Sequence, residues 1–212
     1  MAGVLKKLAK EGIENASDFL KSFRKKTYYH ISPNPDIEEF EINQPSSFGD
    51  NETRGAIYFT SDPKYTEDIL EELESIWGDD EVNPPRYTTY PVKIKKGKIF
   101  NFENDKQVKK LEAQYDKEVD PYLYKRHPFL QIRGGDWGSL EIPEIQKILK
   151  EQGYRGYLTS EPGTVGLFYP EDVRSIFGKF NPKDAKSGNI LKAVVPVGAL
   201  NLLGATNGES EN

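Results

Sequence analysis

The sequence predicts an α+β domain. Short runs of alternating bulky residues end on Ser-Pro or Pro-Gly turns, and stretches of helical period lie among them without the regular alternation of a parallel doubly wound sheet. Tyr28-Tyr29-His30-Ile31-Ser32 and Gly55 to Pro63 each read as a strand that ends by presenting polar groups. Before them, Val4 to Arg24 reads as a helix, with Leu5, Leu8, Ile13, Ala16, Phe19, Leu20 and Phe23 on one face and lysines outside it. That helix either docks on its own domain or rests on a membrane surface or partner. From Pro33 to Thr53 the composition turns to Pro, Asn, Asp, Glu and Ser, a loop with Phe40 and Ile42 as anchors, placed over any site the two strands form.

Lys64 to Trp77 follows as a helix, Asp79 to Pro85 as a turn-rich break, and Arg86 to Ile94 as a strand. Ile99 to Phe102 comes after a Lys-Lys-Gly-Lys turn, and Asp105 to Glu118 is a polar helix with Val108, Leu111 and Tyr115 on one side. Asp120 to Arg133, rich in Tyr, Pro and charge, receives no element. A helix from Pro143 to Gln152 has Pro at its first turn and Gly153 at its end. Gly156 to Thr159 and Val165 to Tyr169 are short strands joined by a turn with Pro162-Gly163 at its centre.

Composition narrows the function classes. At 212 residues and 36% hydrophobic, the chain can bury one ordinary core and carry tails. A formal net charge of −5 argues against a dedicated nucleic-acid binder, which needs a basic face for phosphate. With no cysteine, disulfides and thiolate chemistry are excluded, and two histidines without sulfur do not suggest a structural zinc site. The N-terminal residues show no apolar leader core, so the expectation is an intracellular protein. Asn189 to Ala205 is apolar but interrupted by Pro196, Gly198 and Gly204, too short and broken for a spanning helix of about twenty residues. It is read as an arm that packs on the domain, buries in an oligomer or particle interface, or touches a membrane transiently; Thr206 to Asn212 is a polar tail.

The combination of His-x-Ser on one strand with Gly-x-x-Tyr-Phe-Thr before a helix resembles the ADP-ribosyltransferase fold of the His-Tyr-Glu branch, that of diphtheria toxin and the poly-ADP-ribose polymerases. Further along, Tyr90-Pro-Val-Lys-Ile, Phe100-Asn-Phe, Gly135 to Glu141, Gly153 to Tyr157 and Leu167 to Pro182 fall in the order found in such domains of phage and mobile-element polyvalent proteins. The similarity covers roughly residues 27 to 191. It divides the chain into an amphipathic helix (1–26), an ADP-ribosyltransferase-like domain (27–188) and the apolar arm with its tail (189–212).

The resemblance implies a split antiparallel sheet with flanking helices, NAD as substrate and a protein as acceptor of ADP-ribose. Cleaving the nicotinamide–ribose bond passes through an oxocarbenium-like state, so nicotinamide must be held and positive charge on ribose stabilised. By motif, His30 would bond the adenosine-side ribose with Ser32 beside it, Tyr58 would stack on nicotinamide, and Tyr65 is a second stacking candidate. The acidic third position departs from the pattern: alignment on Val165 to Tyr169 places Thr164 there, and Glu161 is the nearest carboxylate, across the Pro-Gly turn. Plainer readings stand beside these: a strand-end histidine that hydrogen-bonds structurally, a core tyrosine at 58, a packing tyrosine at 65, a solvated His127, a buried Trp137, and a helix-start carboxylate at Glu141. Two functions follow. One is an ADP-ribosyltransferase, phage-encoded or toxin-like. The other is a virion-associated structural protein that keeps the fold without the reaction.

Overall fold

The structure, a computed structural model, describes residues 21–42, 44–45, 53–77, 86–119 and 128–177. The expected N-terminal helix, except its last residues, and the whole C-terminal arm lie outside the described residues. Nine strands are described: β1 (Tyr28–Ser32), β2 (Gln44–Pro45), β3 (Thr53–Arg54), β4 (Ile57–Thr60), β5 (Thr88–Ile94), β6 (Ile99–Phe100), β7 (Gly156–Leu158), β8 (Thr164–Leu167) and β9 (Val173–Ser175). The helices are α1 (Pro63–Trp77), α2 (Asp105–Glu118), α3 (Phe129–Arg133), α4 (Trp137–Leu140) and α5 (Pro143–Glu151), with a 3-10 turn at Pro170–Asp172. Among them no helix is long and apolar enough to cross a membrane.

Seven strands form one sheet in the order β6-β7-β8-β4-β1-β5-β9. Every pairing is antiparallel except β6 with β7, so the sheet is mixed where an antiparallel one was expected. The reason lies in the connection: the chain leaves β6, runs through α2 to α5 and returns alongside as β7, and a helical crossover delivers the next strand parallel.

The sheet narrows in its middle. β4 pairs with β8 over its whole length and β1 with β5 likewise, yet β1 meets β4 only where Tyr29 stands opposite Thr60. Two half-sheets, β6-β7-β8-β4 and β1-β5-β9, therefore diverge from one bridging pair.

Each face of the sheet has its own core, and the second one spans both halves. Helices α2 to α5 cover one face with Val108, Leu111, Phe129, Ile132, Leu140, Ile145, Ile148 and Leu149, against Phe100, Tyr157 and Phe168. The other core gathers Tyr28, Phe40, Val92, Ile94 and Val173 with Ile57, Phe59, Val165 and Leu167. Alternation explains the sorting: Ile57 and Phe59 of β4 leave by one face and Tyr58 by the other.

Local chemistry sets the helix starts. Asp62 accepts from the backbone N–H of Lys64 (2.9 Å) and Tyr65 (3.3 Å), with Pro63 as the first helical residue of α1. Asn104 caps α2 through Gln107 N–H, and Asp136 caps α4 through Ser139 N–H at 2.7 Å.

Three expectations are corrected. Phe23 does not end a helix but forms an antiparallel bridge to Lys95, and Arg24 N–H donates to Ile94 at 2.8 Å, because the chain entering β1 already runs along the edge of β5. The segment Pro33 to Thr53 is not all loop: β2 pairs with β3, Gln44 opposite Arg54. The tract left without an element contains α3, whose five residues are too few to show a period, although Phe129 and Ile132 are buried on one side.

Candidate functional site at the split in the sheet

Tyr58 occupies the strand at which the half-sheets part, and two different environments hold it. Its backbone carbonyl accepts from His30 Nδ1 at 2.9 Å, a side-chain bond across the gap where the backbone ladder has ended. A carbonyl only accepts, so the proton is on Nδ1 and the lone pair on Nε2. The imidazole lies among aromatic rings, Phe40 edge-on at 4.9 Å and Phe59 tilted at 5.5 Å. Burial holds its pKa below the ordinary histidine value, opposed by the bond to Tyr58.

The Tyr58 side chain points the other way, into a polar cluster centred on Glu141. Its hydroxyl bonds to Glu141 Oε1 and lies 2.7 Å from the Tyr157 hydroxyl, which itself donates to Glu141 Oε1 at 2.8 Å. The second carboxylate oxygen accepts from Gly55 N–H (2.7 Å) and Gln146 Nε2 (3.2 Å). Burial first, then the Glu141 charge, push the Tyr58 hydroxyl far above its ordinary range. Burial again, followed by Tyr58 and Glu141, does the same at Tyr157, so both phenols stay protonated donors. Two glycines make room: a Cβ on Gly166, opposite Tyr58, would lie 2.9 Å from the Tyr157 ring, and one on Gly55 would lie 2.2 Å from Gln146 Oε1. Trp137 meets Tyr58 edge-on at 6.4 Å and carries the Arg54 guanidinium 4.1 Å over its ring.

At the far end of β4 a third group assembles around the turn before β8. Thr60 Oγ1 donates to the Pro162 carbonyl at 2.7 Å, and Ser61 N–H to Gly163 at 3.0 Å. Glu161 accepts from the Thr159 hydroxyl, and its charge, after burial, raises the Tyr65 pKa. Thr164, only 7% exposed, opens β8 and turns its hydroxyl to the Pro162 carbonyl at 3.3 Å.

The structure therefore brings Glu161, Tyr65 and Thr164 to one end of β4 and places Tyr58 further down the same strand. His30 and Tyr58 are joined through backbone, but their rings leave by opposite faces. Tyr29 and Thr60 share a face as opposed residues, Thr60 shares it with Tyr58 by alternation, and His30 takes the other side with Phe59. Ser32 is occupied locally, accepting from Asn34 N–H at 3.1 Å in the turn after β1. The Glu141, Tyr157 and Gln146 cluster is what sequence reasoning missed. One signal was present: a tyrosine in the apolar strand Gly156–Leu158 needs a partner for its hydroxyl when buried.

No family model, curated protein or solved structure matches the chain.

Proposed function

We propose that the domain binds NAD at the split between the half-sheets and transfers ADP-ribose to a protein acceptor, in the manner of the His-Tyr-Glu transferases. The supporting observation is that the three motif-bearing strands are neighbours in the order β8, β4, β1, with Thr60 opposite both Thr164 and Tyr29. Segments distant in sequence thereby converge on one strand, and the sheet opens beside it. In this reading Tyr58 offers nicotinamide a ring whose orientation is preset by Glu141 and Tyr157. His30 holds the Tyr58 backbone and Ser32 lies beside it on β1. Tyr65 lines the mouth. Glu161, on the turn entering β8, supplies the negative charge that an oxocarbenium-like ribose requires. The setting is a phage-encoded or toxin-like effector.

One observation favours a second reading. The residue that opens β8 is a threonine whose hydroxyl is directed to its own turn, so the fold could serve a virion-associated protein without the reaction.

Incubation with labelled NAD, alone and with cell lysate, separates the two. Transferase chemistry gives released nicotinamide and a labelled protein, and millimolar NAD raises the melting temperature by mass action. Glu161→Gln then lowers turnover by about 10² or more with NAD affinity little changed. Absence of both a thermal shift and nicotinamide release at millimolar NAD removes the transferase reading and leaves the structural one.

A further inference from the structure

Beside the Glu141 cluster a groove of about 420 Å³ opens along one side of α5. Gly55, Glu141, Gln146, Lys147 and Lys150 contribute to its walls. The volume falls among small-molecule sites, which run from about 300 to 1,000 Å³.

Lys150 is unlike the other lysines with a described environment. Its ammonium lies 4.9 Å over the ring of Phe168, itself 1% exposed, and makes no hydrogen bond or ion pair among the described residues. Burial, the largest influence, lowers its pKa, and the nearby Glu141 charge only partly opposes this. Lys93 is also lowered by burial, but its amine is spent on the Lys25 carbonyl (2.7 Å) and Thr27 Oγ1 (3.1 Å). Lys147 stands 3.7 Å from both Glu118 and Glu151, and Lys109 pairs with Asp105 at 2.6 Å. A lysine meant to clamp an anion keeps its charge and gathers further cations around it. Here Glu141 and Glu151 share the walls with one further cation, Lys147, itself 3.7 Å from Glu151, so no cationic cradle for an anion is built, while a partly buried, uncommitted amine is the form that acts as a nucleophile.

We propose that this groove is a binding site for a small uncharged aldehyde or ketone, held by a reversible imine on Lys150. The amine lone pair adds to the carbonyl carbon, both amine hydrogens depart with the carbonyl oxygen as water, and a C=N bond remains. The proposal does not require the NAD reading, although Glu141, which lines the groove, also accepts from the Tyr58 hydroxyl.

Pyridoxal is the probe, with borohydride to trap the imine and peptide mass mapping to locate it on the full chain. Lys150 is modified several-fold faster than Lys109, Lys147 and Lys93, and its rate saturates with pyridoxal concentration while theirs rise linearly. Lys150→Arg abolishes the saturable component and leaves the urea unfolding midpoint in place. Modification of Lys150 no faster than Lys109, or a rate without saturation, overturns the proposal. Because labelling is read on the unaltered protein, the outcome does not depend on how the variant folds.

Discussion

On one face of β4, Ile57 and Phe59 meet Tyr28, Phe40, Val92 and Val165, and the imidazole among them, His30, has its pKa lowered by burial. On the other face, Tyr58 enters a cluster in which Glu141 joins strands β4 and β7, the Gly55 turn and helix α5. The apolar face gains free energy by removing surface from water, about 1.5 to 3 kcal/mol for a side chain such as Phe59, and tolerates any repacking that keeps its volume. The Glu141 cluster gains little net, about 0.5 to 1.5 kcal/mol per hydrogen bond, yet an unmade bond there costs the full desolvation of a buried group. Both faces bury apolar side chains, the second under α2 to α5. Only the second adds a cluster that fixes orientation, since four donors must meet a single carboxylate.

The largest expected effects set these faces against each other. Glu141→Ala strands two phenols, a backbone N–H and an amide at once, and destabilises by about 3 to 5 kcal/mol in urea unfolding. Phe59→Ala costs a similar 3 to 5 kcal/mol through a cavity. The discriminating variants are the gentler ones: Phe59→Leu stays within about 1.5 kcal/mol, as a near-volume swap should. A Glu141→Ala loss under 1 kcal/mol would show that the polar face is not closed.

Gly166→Ala comes next. Its methyl would press on the Tyr157 ring at 2.9 Å, and the expected loss is about 1 to 3 kcal/mol. A neutral result would mean that Tyr157 moves freely.

Smaller is the removal of a single phenol, Tyr58→Phe, at about 1 kcal/mol, because Tyr157 still donates to Glu141. A loss as large as that of Glu141→Ala would break the distinction between hub and spoke.

The apolar face carries the pH dependence. The folded His30 pKa lies below its unfolded value near 6.5, so the unfolded state takes up the proton first. His30 therefore leaves stability undiminished above that value, lowers it as pH falls through and below 6.5, and stops doing so once the folded form also protonates. Urea midpoints between pH 7.5 and 5 measure the slope, and His30→Asn, whose amide still donates to the Tyr58 carbonyl, flattens it. An unchanged slope would place the titrating group elsewhere.

Much of this molecule is legible from local pattern. The helix Asp105–Glu118 and its buried side of Val108, Leu111 and Tyr115 follow from a 3.6-residue period and a capping Asn104. Strands β1, β4, β5, β7 and β8 follow from alternation and turn residues, to within two or three residues at their ends. The mixture of both, hence the class, follows too. These properties depend on residues within a turn or a pleat of one another, and the sequence states them directly.

What only the tertiary structure decided depends on groups that are neighbours in space alone. That β1 and β4 share one bridging pair, Tyr29 with Thr60, is a matter of how distant strands come together. The His30 and Tyr58 rings leave by opposite faces because register, and no property of either residue, assigns the face. Glu141 reads in sequence as a carboxylate before a proline-led helix. Its role as acceptor for Tyr58 and Tyr157 exists because α4 and α5 fold back over β4 and β7, and because Gly55 and Gly166 leave space that a side chain would fill. Hydrogen-bond reach is about 3 Å and blind to chain separation, so a cluster assembled from such contacts leaves no periodicity along the chain to be read.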